Sequence, residues 1–269
     1  SEAELQGRRP TYFRPFDKAI KAEQRVDGLL AWLELPPAER PKFLTLYFDL
    51  VDDAGHEFGP TAPETVAAVR TADAAVGRLL EGLARLGLRD SANLVIVSDH
   101  GMADIGPDRV VFLDDLMDLS LVTIEAYGTY GGVRPKPGVD AAALVASIRA
   151  KAPPQVRAYL REEMPARFHY SAGARIPPVL LLADTGWNLE QKNGWPATRA
   201  RYRRGNHGWD PAAPEMGALF IAEGPAFLRR TTLGSAENVD VYNLLCAVLG
   251  LSPAPNDGGD GLVRAALRR

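Results

Sequence analysis

The sequence is poor in the features that mark disulfide-rich, membrane-spanning or nucleic-acid-binding proteins. Its single cysteine, Cys246, excludes an internal disulfide bond, so cysteine usage leaves the redox compartment unspecified. No apolar run in the sequence approaches the roughly 20 residues that a membrane-spanning helix requires. The formal net charge of −3 lacks the basic excess that electrostatic binding of nucleic acid needs, so we expect no nucleic-acid partner. A nucleotide-sized anion held by metal ions needs no such excess.

The sequence also has no methionine before Met102 and no recognisable signal peptide. We therefore expect a processed product or a piece of a longer chain. With 46% hydrophobic and 24% charged residues in 269, the composition is that of a folded globular domain with a large core.

Two short apolar runs, residues 43–48 and 94–98, are predicted as strands, each followed by polar or glycine-bearing residues. A helix is predicted between them, because apolar residues recur at helical spacing from Val66 to Leu86, with Pro63 near the start and Gly87 at the end. Strand, helix and strand form a βαβ unit, which favours two parallel strands in a sheet covered on both faces.

The middle of the sequence has a different character, because four prolines punctuate short elements. Strands are predicted over residues 121–126 and 155–160, and a helix over 140–151 with Asp140 as its N-cap. Core strands follow at 176–183 and 218–222, and a closing helix at 239–249 ends at Gly250. We therefore predict an α/β core of residues 1–109 and 176–269, with a small α+β insertion over 110–175.

The chemistry-bearing residues stand in three segments, YFDLVDDAGHEFGP, VIVSDHGM and GNHGWD. In parallel sheets, bound molecules lie at the edge formed by the carboxyl ends of the strands. The three segments are therefore expected to meet at this edge. Imidazole and carboxylate groups suit a borderline divalent metal, and five groups are one too many for one tetrahedral zinc. Taken singly, each pair is more typical of a hydrogen-bonded loop; together they predict a two-metal site formed by Asp52, His56, Asp99, His100 and His207.

The same three segments resemble those of the nucleotide pyrophosphatase/phosphodiesterase family of the alkaline phosphatase superfamily. Other stretches, among them RPTYFRPFD and ENVDVYNLLCAVLGL, fit that family in order, so the resemblance covers nearly the whole chain. It implies a doubly wound α/β fold with a mostly parallel sheet, two zinc ions and hydrolysis of phosphodiesters through a covalent phosphothreonine. By motif match, one zinc is held by Asp52, His56 and His207 and the other by Asp99 and His100. The family pattern also favours Asp52 over its neighbours Asp49 and Asp53.

Two groups of the family pattern have no match in this sequence: the threonine nucleophile and a further aspartate ligand of the second zinc. Thr61 matches an ordinary position at the start of a helix, so no catalytic residue is assigned to this chain. The resemblance therefore implies that both groups belong to a preceding N-terminal segment of the same protein, with which the first strands of the sheet are also missing. We expect the chain alone to bind zinc weakly and to turn over little. The resemblance favours a periplasmic or extracellular location.

Two aromatic residues, Phe16 and Tyr47, match positions that stack a nucleobase in bacterial members of the family. From the sequence alone, core filling is the better explanation of Phe16 and a half-buried strand position the better explanation of Tyr47. With the resemblance, we expect the substrate to be a nucleotide or another small phosphodiester, with release of a nucleoside monophosphate. Arg199, Arg201, Arg203 and Arg204 are typical of a solvated loop, although they could also attract a polyanion.

Two further readings remain. A phosphomonoesterase or a phosphoglycerate mutase-like member of the superfamily would use similar metal ligands, but the aromatic pair and the context of the first segment speak against it. A noncatalytic metal-binding or interaction module is the other reading, and the presence of all five ligand residues speaks against it. Asp210 was considered as a hydrogen-bond acceptor for His207, and His169 as a structural histidine.

Overall fold

The structure is a computed structural model that describes residue 4 and residues 6–268. It is a mixed α/β protein with several small sheets. The chain divides into two compact units. The first contains Ser1–Ala54, Pro63–Ile96 and Ile221–Arg269, and the second contains Gly55–Ala62 and Val97–Phe220. The sequence analysis places an insertion over residues 110–175, and these bounds differ from those of the two units. The predicted insertion therefore stays a prediction.

The bounds of the regular elements are as follows. The helices are α1 (Ala22–Leu33), α2 (Leu50–Phe58), α3 (Pro63–Arg85), α4 (Leu113–Leu116), α5 (Ala141–Lys151), α6 (Trp195–Ala200), α7 (Asp240–Leu249) and α8 (Gly261–Ala266). The strands are β1 (Leu94–Val97), β2 (Ala103–Asp104), β3 (Val110–Phe112), β4 (Val122–Ala126), β5 (Tyr130–Pro135), β6 (Val156–Leu160), β7 (Val179–Ala183), β8 (Asn188–Glu190), β9 (Gly205–Asn206) and β10 (Phe220–Glu223). Within the described part of the chain, no helix is both long enough and apolar enough to cross a membrane.

The core of the first unit forms where α1 packs against α3. Val26 and Leu30 of α1 are buried with Leu79 and Leu83 of α3. The two helices approach closely at Gly82, where an added Cβ would stand only 2.4 Å from a methyl carbon of Leu30. An alanine at this crossing would therefore require either repacking of the Leu30 side chain or separation of the helices.

Helix α3 confirms the prediction from periodicity. It begins at Pro63, and Gly87 follows its end in the left-handed conformation, with φ of +67°. The apolar residues near the start of the helix are not part of its buried face. Val66 and Val69 are exposed, whereas Leu79 and Leu83 are buried.

The predicted strand over residues 43–48 was wrong. This segment carries no strand hydrogen bonding among the described residues, and β1 pairs with β10 instead. Leu44, Leu46 and Phe48 nevertheless pack against the first core as an extended segment. The expected βαβ crossover is therefore not formed within the described chain, since apolar composition alone does not supply a neighbouring strand.

The second unit is organised around a four-stranded antiparallel sheet in the order β4-β5-β7-β6. Helix α5 contributes Val145 and Ile148 to its core, beside Val133 of β5 and Leu181 of β7. The predicted N-cap of α5 is confirmed, because the Asp140 carboxylate accepts a hydrogen bond from the backbone N–H of Ala143.

Two short strand pairs complete the second unit. Strand β8 pairs in parallel with β3 and contains the fully buried Leu189. Strand β9 pairs with β2 in antiparallel register, with Ala103 opposite Asn206 and Asp104 opposite Gly205. The second pair brings the segment before His207 beside the segment after His100.

Candidate metal centre

The first predicted ligand pair lies on a helix and not on a loop. Asp52 and His56 belong to α2, where residues four apart lie on the same face one turn from each other. Gly55 and the apolar run before this segment favour a loop, but the structure forms a helix here. The spacing of four residues was the signal that could have predicted the helix.

Gly55 serves close packing and does not break α2. An added Cβ at Gly205 would stand 2.2 Å from the backbone oxygen of Gly55, and an added Cβ at Gly55 would stand 3.0 Å from the Met102 methyl carbon. Helix α2 and strand β9 therefore meet through their main chains. The backbone N–H of Arg204 also donates to the carbonyl of His56 at 3.0 Å, which ties the two segments together.

Backbone carbonyls fix the tautomers of two histidines. The Nδ1 atom of His56 lies 2.8 Å from the carbonyl oxygen of Gly205, and Nδ1 of His100 lies 2.8 Å from that of Gly101. Because a carbonyl only accepts, Nδ1 is the donor in each of these contacts, and Nε2 is the nitrogen that faces away from the backbone carbonyl. Each imidazole thus presents the nitrogen that could bind a metal ion.

The ring of His207 lies between the other two. Its centroid is 5.0 Å from that of His56 and 3.4 Å from that of His100, and the His100 and His207 planes are inclined by only 10°. Asp99 follows at the exposed side, with its carboxylate oxygen 3.5 Å from Nε2 of His100. The loop after β1 and the loop after β9 therefore bring their histidines into contact.

One set of side chains has the geometry of a metal-binding group. Asp52, His56 and His207 each offer a ligand atom, and these atoms lie within 4.8 Å of one another. One carboxylate and two imidazoles form a three-ligand set of the kind found in catalytic zinc sites, which keep a fourth position open. The donor set therefore fits a borderline divalent ion.

The carboxylates beside Asp52 have other partners. Asp49 forms a largely buried ion pair with Arg25 at 3.3 Å, and Asp53 pairs with Lys18 at 2.7 Å. The hydrogen bond that the Lys18 ammonium donates to Asp53 raises the pKa of Lys18. Asp52 is thus the member of the acidic trio that stands in the metal-binding group.

The aromatic pair of the sequence prediction lies together in the first unit. The ring centroids of Phe16 and Tyr47 are 5.9 Å apart with the planes tilted by 58°, and half or more of each residue is exposed. The guanidinium of Arg25 lies 4.9 Å from the Phe16 centroid, within cation–π range. Core filling is therefore wrong for Phe16, whose exposed fraction is 50%.

The Asp210 carboxylate forms an ion pair with Arg167, and its hydrogen bond with His207 stays a prediction. Its carboxylate accepts two hydrogen bonds from Arg167 and one from the backbone N–H of Ala212, and the Arg167 bonds lower its pKa. His169 is exposed in a left-handed turn, with φ of +49°. All four arginines between residues 199 and 204 are exposed, as expected for a solvated loop.

Sequence reasoning missed a polar cavity next to β9. It has a volume of about 440 Å³ and is lined by Ile105, Asn188, Glu190, Ala197, Thr198, Arg201, Tyr202, Arg203 and Asn206. Burial raises the pKa of the Tyr202 hydroxyl to about 12, and burial also raises the pKa of the Glu190 carboxyl. No motif announces these residues, because they come from separate segments and are of common types.

Known proteins resemble this chain over its whole length. It is 36% identical to venom phosphodiesterase CdcPDE of Crotalus durissus collilineatus, an alignment that covers 100% of this chain and 33% of the relative. It is 35% identical to mouse ectonucleotide pyrophosphatase/phosphodiesterase family member 1, over 100% of this chain and 30% of the relative. The chain thus spans about a third of the length of these curated relatives.

A solved structure shows the same fold. Murine ectonucleotide pyrophosphatase/phosphodiesterase 5 matches 99% of this chain and 69% of its own chain, with a TM-score of 0.90 and 30% sequence identity. The predicted α/β fold class is thereby confirmed. The family model of type I phosphodiesterase/nucleotide pyrophosphatase matches residues 1–210. The chain belongs to the type I phosphodiesterase/nucleotide pyrophosphatase family.

Proposed function

We propose that this chain is part of a metal-dependent hydrolase of phosphodiester or pyrophosphate bonds that acts on nucleotides and releases nucleoside monophosphates. The observation that carries the proposal is the cluster of Asp52, His56 and His207, with the His100 ring against His207, in a chain of this family.

The chain's own residues would hold two zinc ions. Asp52, His56 and His207 would hold the first, and Asp99 and His100 would contribute to the second. Paired divalent ions supply Lewis-acid polarisation of a phosphoryl group and stabilise the attacking and leaving oxygens. Nδ1 of His56 and of His100 each lies against a backbone carbonyl oxygen. Nε2 of each ring would therefore be the ligand atom.

The proposed reaction passes through a covalent phosphothreonine whose threonine has no match in this sequence. No nucleophile is therefore assigned to this chain, and its part is to bind metal and to hold the phosphoryl group. Turnover by the pure chain at the rate of a complete family member would contradict this division of roles.

Nucleobase stacking on Phe16 and Tyr47 completes the proposal for the substrate, because aromatic stacking tolerates any base. The relatives are named as venom and ectonucleotide enzymes, and we extend this to a periplasmic or extracellular location for the present protein.

The decisive experiment measures metal and ligand binding together. Zinc content is determined after equilibrium dialysis, and binding of adenosine monophosphate and of inorganic phosphate is measured by calorimetry with and without Zn²⁺. We expect zinc to bind the wild-type chain, and adenosine monophosphate to bind only with zinc present and more tightly than phosphate.

The other outcomes separate the alternatives. Zinc binding without binding of either ligand would favour a noncatalytic metal-binding module. Equal affinity for phosphate and adenosine monophosphate would favour a phosphomonoesterase. Absence of zinc binding to the correctly folded chain would overturn the proposed function.

A further inference from the structure

A chain of hydrogen bonds runs from His207 through Asn206 into the polar cavity. The backbone N–H of His207 donates to the Asn206 side-chain oxygen at 3.0 Å, and the Asn206 amide donates to the Asn188 oxygen at 3.3 Å. The Asn188 amide donates to the Tyr202 hydroxyl at 2.8 Å, and that hydroxyl donates to the Glu190 carboxyl at 3.4 Å. We call these four side chains, Asn206, Asn188, Tyr202 and Glu190, the amide ladder.

The hydrogen bonds of the ladder all point the same way. Each group donates toward Glu190 and accepts from the side of His207, so every bond polarises the next in the favourable sense. Loss of one member therefore weakens its neighbours as well as leaving a polar group without its partner.

The ladder joins the His207 segment to a rigid part of the second unit. Asn188 is 3% exposed, and its backbone N–H donates to the Arg109 carbonyl within the parallel β3–β8 pairing. The next residue, Leu189, is fully buried in the core. Asn188 therefore gives Asn206 a fixed point of attachment.

Packing holds part of the ladder, since Tyr202 packs against the core and its ring meets the Trp195 ring edge-on, but the polar ends of the four side chains face a cavity. All four members of the ladder line the cavity of about 440 Å³, so each has open space on one side. Side chains at a cavity wall lose the contacts that would select one rotamer. Hydrogen bonds therefore orient the polar ends of these side chains.

We propose that Asn206, Asn188 and Tyr202 are positioning residues that hold the backbone at His207 so that its imidazole is aimed at the metal site. The inference rests on the proposed function, since it takes His207 as a metal ligand. It assigns no contact with substrate or metal to the ladder itself. Groups that orient metal ligands typically change metal affinity by about 10- to 100-fold when they are removed.

The test compares ladder variants with a matched control. Asn206→Ala removes the bond to His207 directly, and Tyr202→Phe removes two bonds farther along the ladder. Tyr170→Phe is the control, because it removes a tyrosine hydroxyl in the same unit and outside the ladder, on a ring that packs edge-on against Tyr130. Zinc affinity is measured by competition with a chelating dye, and the melting temperature of the metal-free protein reports stability.

We expect the zinc affinity to fall by about 10- to 100-fold in Asn206→Ala and by a smaller factor in Tyr202→Phe. Tyr170→Phe is expected to keep the wild-type affinity even where its melting temperature falls as far as that of Tyr202→Phe. With Co²⁺ as the probe, the visible spectrum of Asn206→Ala is expected to change shape, which reports altered coordination geometry.

A second readout works without metal. Amide hydrogen exchange at His207 is expected to be slow in the wild-type chain and faster in both ladder variants, but unchanged in Tyr170→Phe. Unchanged zinc affinity and unchanged exchange at His207 in both ladder variants would overturn the inference. If the wild-type chain binds no zinc, the proposed function fails by itself, and the exchange rates still decide whether the ladder orders the backbone at His207.

Discussion

The imidazole rings of His100 and His207 lie face to face, 3.4 Å apart and inclined by 10°. Since His207 also belongs to the group with Asp52 and His56, its ring adjoins both proposed metal sites. A substitution at His207 should therefore change metal binding at both sites, which makes this residue the most informative position for mutation.

Replacement of His207 by alanine is expected to lower zinc affinity by more than about 100-fold, because loss of a ligand exceeds the effect of losing a group that only orients one. Competition with a chelating dye measures this. The control is His169→Asn, which replaces an exposed histidine outside the metal-binding group with a residue that tolerates its left-handed backbone. Equal loss of affinity in both variants would argue against a specific role for His207.

Replacement of Gly205 by alanine is expected to destabilise the protein by about 1–3 kcal/mol or more, because the added Cβ would stand 2.2 Å from the Gly55 oxygen. Gly77→Ala is the matched control, since nothing lies within 4 Å of a Cβ at that site in α3. It is expected to stabilise by about 0.5–1 kcal/mol through helix propensity. Urea denaturation measures both, and a harmless Gly205→Ala would contradict the close backbone contact.

Glu190→Gln is expected to change the pH dependence of stability. Burial raises the pKa of the Glu190 carboxyl above its ordinary value of 4.5, so the folded chain binds the proton more tightly than the unfolded chain. This contribution to stability is fully present below the unfolded pKa and is lost as the pH rises through the folded pKa. We therefore expect wild type to lose stability relative to Glu190→Gln as the pH rises from 4.5 toward neutrality. Urea titrations at several pH values in this range measure the free energies of unfolding. A difference between wild type and Glu190→Gln that does not change with pH would show that the carboxyl is solvated.

Tyr47→Ala is expected to weaken zinc-dependent binding of adenosine monophosphate by about 5- to 150-fold, the range for loss of one stacking contact of about 1–3 kcal/mol. Tyr127→Ala removes a comparably exposed tyrosine of the second unit and serves as the control. Calorimetry measures both affinities. A parallel loss of inorganic phosphate binding in Tyr47→Ala would point to altered metal sites in place of lost stacking.

Helices with both a periodic apolar face and an end signal could be predicted from the sequence. Helix α5 has Asp140 as an N-cap, and α7 ends at Gly250 in the left-handed conformation. In each case the deciding interactions lie within a few residues of one another. Local sequence contains this information in full.

The features that the sequence did not reveal depend on residues distant along the chain. Gly55 lies within α2, and the close approach of its carbonyl oxygen to Gly205 joins residues that are 150 positions apart in the sequence. The run at residues 43–48 has strand composition, but strand formation depends on a partner that composition does not specify. The amide ladder draws on β8 and on the segment before β9, and its residue types carry no motif.

The site residues stood out for a different reason. Histidine is rare in this sequence, and three of the four occurrences lie next to a glycine in segments that match a family pattern. Their proximity in space was therefore predictable from the motifs, although the strand expected before Asp52 is not formed. The tautomers were not, because they depend on the carbonyl groups of Gly205 and Gly101.

The contact between α2 and β9 has a consequence for how the site can vary. Two peptide groups touch with no side chain between them, so the spacing of the His56 and His207 backbones follows from the fixed dimensions of the polypeptide. Substitutions in the surrounding apolar interior can alter stability without widening or narrowing that spacing. We accordingly expect related proteins that differ at many core positions to keep the same selectivity among metal ions of different radius.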